Sequence, residues 1–220
     1  MRGLAFDFAH LLAGGLVLLS FMLLYQTRLY ALLNVFAAQA VVLSMSVAWQ
    51  AYVQDANDLY VTALIAFAFK AVLVPVALHR IIAELGIHRD VENVVGVGLT
   101  MLAGLALVAL SEVAMLRIAS EADPLAREDL AFALSVVLLG MLMMVVRRNA
   151  VSMVVGFMSL ENGLILAATA AKGMPLVVEI SVAFSVLVAL VVIGVFLFRI
   201  SERFETVDAH ALDRFRGDRR

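Results

Sequence analysis

Two ionisable residues sit where their apolar neighbours make charge expensive. Glu161 lies near the centre of the apolar run 150–171, and Lys70 lies in the middle of another, 59–79. An ionisable group at bilayer depth costs roughly 2.5–3.5 kcal/mol on insertion scales, so such a group faces protein or water and usually has a task. Counting about 1.5 Å per residue from Leu59 puts Lys70 roughly 16 Å into its run, near the midplane of a core about 30 Å thick. Glu161, counted from Ala150, reaches a similar depth. Opposite charges at one depth can pair, and pairing lowers the cost of both. Two kinds of chemistry follow: proton or ion handling inside a membrane, or a static ion pair that fixes helix packing.

Other residues could support either role. Pro75, five positions after Lys70, cannot donate to the carbonyl of Ala71 and predicts a bend. Carbonyls freed beside a lysine at depth suit an ion path, and a plain kink suits the same residues. Around Glu161, the residues Ser152, Gly156, Ser159, Gly163, Ala167 and Ala170 fall three or four apart and form a stripe of small side chains, which lets helix backbones approach. Glu161 is nine positions from Ser152, on the opposite face at 100° per residue. Both faces of this helix are therefore expected to be covered, one of them by another subunit. Glu179 and Glu112 lie near the outer ends of the seventh and fourth runs, as proton exits or as interfacial charges. Asn34, Gln39 and Ser185 would hold waters between charged groups, or form interhelical hydrogen bonds worth about 0.6 kcal/mol each.

The elements that must position these groups are helices. With 64% hydrophobic and 15% charged residues, and a mean hydropathy of +1.03, the chain departs from ordinary globular composition, which is about 45–50% apolar and about 25% charged. The fold class is all-α, a polytopic membrane bundle. Runs of about 20 apolar residues predict seven transmembrane helices, at 5–25, 30–53, 59–79, 93–116, 129–146, 150–171 and 175–198. A polar tail, 201–220, follows. The first run lacks a small-x-small cleavage pattern after it and is expected to be a membrane helix rather than a leader.

Orientation follows from the basic residues. With the N-terminus outside, the cytoplasmic side holds eleven arginines and the outer side four basic residues, with Lys70 left in the membrane. This bias places the C-terminus in the cytoplasm. The plan of runs one to three recurs in runs five to seven, aligning 68–70 with 183–185 as a faint parallel repeat.

Several classes are excluded or disfavoured. The absence of cysteine removes cysteine-ligated iron–sulfur clusters and c-type haem. His10, His79, His88 and His210 are scattered, so no paired metal or haem ligands are expected. No phosphate loop, nucleophile constellation or nucleotide fingerprint is present, and no basic excess points to nucleic acid. No cofactor is expected in this chain.

Together, Arg147-Arg148-Asn149, Gly156, Glu161-Asn162-Gly163 and the segment Pro175 to Ile180 resemble component E of hydrogenase-4-type membrane hydrogenases, as does Phe69-Lys70-x-x-Leu73-Val74-Pro75. The resemblance covers essentially the whole chain. From 129 to 200 the chain is also similar to the small K-type subunit of respiratory complex I and to the C subunit of multisubunit cation/proton antiporters. Aligned on the Arg-Arg-Asn turn, that subunit's first membrane glutamate falls at Met158, one turn before Glu161. Its second falls at 185–187, where this chain has no acid.

The resemblance implies a non-redox integral subunit of a complex I-like assembly in a prokaryotic cytoplasmic (inner) membrane. Its implied partners are antiporter-like membrane subunits, a membrane anchor subunit and, indirectly, a soluble [NiFe] hydrogenase arm. The implied task is to extend a line of intramembrane charge that couples hydrogen or formate chemistry to proton or sodium movement. Two alternatives remain open: a scaffold that translocates nothing, and a stand-alone secondary transporter.

Overall fold

The computed structural model describes residues 2–85, 94–118 and 124–170. These all fall within one compact unit, Met1–Ser185. The run 175–198, with Glu179 and Ser185, and the tail 201–220 lie outside the described residues.

Every regular element there is helical: α1 (Arg2–Tyr25), α2 (Leu29–Gln54), α3 (Asn57–Ala66), a π-helical turn (Phe67–Leu73), α4 (Val74–Leu85), α5 (Val97–Ile118), α6 (Pro124–Val146) and α7 (Ala150–Ala170). α3, the π turn and α4 are continuous, so among the described residues six helices are long and apolar enough to cross a membrane.

Local chemistry sets the boundaries. α2 ends at Asp55, whose φ of 54° is left-handed and whose N–H bonds to Ala51 O; a short Asp tolerates that region better than most residues. Asn149 caps α7, its Oδ1 accepting from Val151 N–H at 2.8 Å. α6 starts five residues before its expected start, because Pro124 is well suited to the first helical position. The third run extends to Leu85, six residues beyond its expected end.

At Pro75 the sequence predicts a bend. What the structure has just before it is the π turn, closed by Val74 N–H on Phe69 O. Pro75 has no N–H to give the preceding turn, and the wider turn absorbs that loss.

Of the described spans, α7 is the most enclosed and α5 the least. α7 packs on α6 and α2; α1 packs on α2, α5 and α6; α3, the π turn and α4 lie along α2. Glycines allow the closest of these approaches. A Cβ on Gly140 would stand 2.6 Å from Leu160 N, and one on Gly163 would stand 2.8 Å from Ala133 O and Val137 N. α6 and α7 therefore meet backbone to backbone, as small residues permit.

The faces are sorted by size and polarity rather than by hydropathy. On α5 the buried residues are Thr100, Gly104 and Ser111, while Leu99, Leu102, Leu105 and Leu110 are exposed. Ser111 hydrogen-bonds to Ser135 of α6. Small and hydrogen-bonding groups inward, leucine outward, is the arrangement of helices that pack in lipid.

Contacts at the helix ends show that successive spans alternate in direction. At one end Gln54 donates to Thr169 O at 3.0 Å, and His10 of α1 meets Glu128 of α6. At the other, Arg147 meets the last turn of α1, and Tyr30 lies against His79 with ring centroids 5.3 Å apart.

Candidate functional site

Lys70 sits in the π turn and projects towards α7, where its Nζ lies 3.1 Å from Glu161 Oε2. Both side chains are buried, at 1% and 2% exposure. Each is near the middle of its span, Asn57–Arg80 and Ala150–Thr169.

A chain of polar groups continues from the lysine. Lys70 Nζ donates to Asn162 Oδ1 at 2.9 Å. Asn162 Nδ2 donates to Gln39 Oε1 of α2 at 3.2 Å. Gln39 Nε2 then donates to Ser20 Oγ of α1 at 2.8 Å and to Ser159 Oγ of α7 at 2.9 Å. Ser20 Oγ donates in turn to Leu16 O at 2.9 Å. All of these residues are buried. The network ties α1, α2, the π turn and α7 together, and it satisfies polar groups that would each cost several kcal/mol if left alone in an apolar interior.

Chemically, Lys70 and Glu161 are the two groups in this chain of contacts that can exchange a proton. The amides of Asn162 and Gln39 orient and accept, but they do not titrate.

Of the other sequence candidates, Glu112 is half-buried on α5, which packs on α6 and α1, and takes no part in this network. Asn34 is exposed on α2. Glu179 lies outside the described residues. The small-residue stripe of α7 divides. Gly156 and Gly163 face α6, where a Cβ on Gly156 would stand 3.2 Å from Gly140 O, whereas Ser159 belongs to the polar network. Ser152 is buried, and its Oγ has no hydrogen-bond partner among the described residues. Pro75 is buried, with Val74 between it and the end of the π turn.

Two further clusters were not read from the sequence. Arg147, 2% exposed, directs Nη2 to Leu23 O and Leu24 O at 3.0 and 2.8 Å. It thereby supplies donors to carbonyls that the end of α1 leaves open. Burial lowers the Arg147 guanidinium below its ordinary value, yet that value is high enough for the group to stay charged. At the opposite end, His10 lies between Glu128 and Asp129, with Nδ1 3.3 Å from Asp129 Oδ1, and links α1 to α6. Its two ring nitrogens point to different carboxylates, and no group of residues suited to a metal ion occurs among the described residues.

The sequence did carry signals for part of this. Asn162 follows Glu161 directly, and Ser20 interrupts the apolar run of α1.

No family model matches the chain, and no solved structure matches it significantly. It is 31% identical over 217 residues to the uncharacterized protein Rv0085 of Mycobacterium tuberculosis, an alignment that covers 96% of this chain and 95% of the relative. Similarity of that extent, running through every described helix, places the chain in the same family as this mycobacterial protein.

Proposed function

We propose that the chain is a non-redox integral membrane subunit of a complex I-like membrane-bound hydrogenase, of formate hydrogenlyase or hydrogenase-4 type. In this reading it contributes charged residues to proton or sodium translocation coupled to redox chemistry. The observation that carries the proposal is the Lys70–Glu161 pair, buried at 3.1 Å in the middle of two apolar spans. A pair that only held helices together would be a poor use of charge, since apolar packing does so at no desolvation cost.

The resemblance of Arg147 to Gly163 and of Phe69 to Pro75 to component E supplies the assembly. Aromatic residues support the membrane setting. Phe8, Trp49, Tyr52 and Tyr60 gather at one set of helix ends, and Tyr25 and Tyr30 at the other, in the manner of interfacial belts. The setting is the cytoplasmic membrane of a prokaryote, with the N-terminus outside and Arg28, Arg80, Arg147 and Arg148 at the cytoplasmic ends.

The partners in this reading are antiporter-like subunits, an anchor subunit and, through them, a soluble [NiFe] arm. Purification in mild detergent through a C-terminal tag, with mass spectrometry of what accompanies the chain, tests it. Recovery of a cysteine-rich [NiFe] large subunit and an antiporter-like subunit is the expected result, and recovery of the chain alone refutes it. In the reconstituted complex, Glu161→Gln abolishes pumping while redox turnover survives; an unchanged proton-to-electron ratio refutes the relay.

A second reading, a scaffold without transport, draws on the backbone contact between α6 and α7 at Gly140, Gly156 and Gly163. It requires Gly156→Leu to break assembly and Glu161→Gln to leave pumping intact.

A further inference from the structure

Every hydrogen bond in the polar network points the same way, and the reason lies at its far end. Leu16 O is a backbone carbonyl, so it can only accept, and Ser20 must donate to it. The Ser20 oxygen is then left to accept from Gln39 Nε2. Ser159 Oγ is the neighbour of the same amide nitrogen. With its NH2 committed to two hydroxyls, Gln39 presents Oε1 to Asn162. Asn162 must offer its NH2 to that oxygen, which leaves its own Oδ1 facing Lys70. The amide orientations are thus dictated by a peptide carbonyl on another helix.

We propose that Gln39 and Asn162 are positioning residues, an oriented hydrogen-bonded arm that presents only an acceptor to Lys70. The arm holds Lys70 as an ammonium and leaves the Glu161 carboxylate as the destination of its proton. This deepens the relay reading and rests on it.

Two properties follow from the chemistry. An oxygen acceptor on the ammonium favours the charged form of the pair over the neutral one. The arm itself does not conduct, because it ends on a carbonyl and its amides do not titrate. Proton exchange by Lys70 is thereby confined to the Glu161 side of the site. Gln39 hydrogen-bonds to Asn162 and the two serines and to neither charged group, so its influence on them passes through the orientation of Asn162.

The test reads the protonation state of Glu161 by infrared spectroscopy on the full chain in lipid nanodiscs at neutral pH. A carboxylic-acid band is assigned to Glu161 by its loss when Glu161→Gln is added to the variant that shows it. The wild type is expected to show no carboxylic-acid band from Glu161. Asn162→Leu, which keeps the branching at Cγ and removes the acceptor, is expected to show one at the intensity of a single carboxyl per chain, the proton having passed from Lys70. Gln39→Leu is expected to show the same band more weakly, because Asn162 is then free to turn its NH2 towards Lys70. Where Gln39→Leu does not fold, Ser20→Ala combined with Ser159→Ala releases the same amide with a smaller change.

A band present in the wild type overturns the proposal. So does a band in Asn162→Leu with none in either Gln39→Leu or the double serine variant, and so does its absence from all of them. Persistence of pumping in Glu161→Gln refutes the relay separately, since the infrared result concerns the pair and not the transport.

Discussion

Removing one member of the buried pair should cost far more than removing both. At 3.1 Å and an effective dielectric constant of about 20, two unit charges attract by roughly 5 kcal/mol. The attraction is set against the desolvation of two ions, so the pair adds little net stability, yet either charge left alone is uncompensated. Lys70→Met keeps the apolar stem and removes the ammonium. The expected loss is about 3–5 kcal/mol, part of it from Asn162 Oδ1 losing its donor, about 1–3 kcal/mol on its own. Glu161→Gln is expected to lose a similar amount.

If losses were independent, the double variant would lose about 6–10 kcal/mol, the sum of the two. Because it leaves no orphaned charge, the expected loss is instead about 1–3 kcal/mol, the remaining deficit at Asn162. The assay is denaturation of the purified chain in mixed micelles, followed by circular dichroism and closed as a double-mutant cycle. Additive losses, with a coupling below about 1 kcal/mol, would refute the inference that the two charges compensate each other in the folded chain.

Other outcomes can be checked with the same material. Gly140→Leu and Gly163→Leu, whose added atoms meet backbone at 2.6 and 2.8 Å, are each expected to destabilise by at least about 1–3 kcal/mol. Gly15→Ala, with Val42 Cγ1 at 3.8 Å, should be close to neutral in the same denaturation series. Arg147→Met should cost about 1.5–3 kcal/mol through the two carbonyls of α1, and Arg147→Lys should recover only part of it, because an ammonium lacks the planar fork. As the chain has no native cysteine, single replacements at Arg28 and Asp55 should react with a membrane-impermeant thiol reagent from opposite sides of the cell membrane, Asp55→Cys from outside; labelling of both from one side refutes the orientation.

Much of the architecture is legible because a membrane span needs both length and apolarity, and the sequence carries both openly. The six described spans overlie six of the seven apolar runs; one start is moved out to Pro124, and another stands where expected, at Ala150, behind the Asn149 cap. Faces are harder to read. The helices are apolar on all sides, so hydropathy does not say which side is inward; the inward side has to be found from Thr100, Gly104 and Ser111, or from Gln39 and Ser159.

The site is legible in its charged members and illegible in its connections. Lys70 and Glu161 stand out because each interrupts an apolar run. Their meeting depends on how α2, α7 and the π turn pack, and periodicity within one helix carries no information on that. In the sequence Gln39 reads as a lone polar residue and Ser159 as one of a stripe of small residues, and Ser20 and Asn162 enter the network only once four elements are in place. Arg147 and His10 make the same point at the helix ends. Both sit at the edges of runs, where a basic residue or histidine usually meets water, and both are instead spent on α1 and α6.

The π turn has a consequence for how this helix tolerates change in length. It carries a wider backbone loop than an α-helix would over the same residues, and such a loop can be removed by losing one amino acid. Deleting Val72 would let α3 run into α4 as an uninterrupted α-helix with the two flanks still in phase, because the wider turn already takes up the surplus residue. His79 would keep its place against Tyr30, while Lys70, inside the turn, would be carried round the axis and away from its aim at Glu161. The surplus residue thus sets the direction of the lysine without disturbing the far end of the helix. Substitutions in Phe67–Leu73 would be absorbed side chain by side chain, whereas loss of one residue would erase the turn and the aim of Lys70 with it.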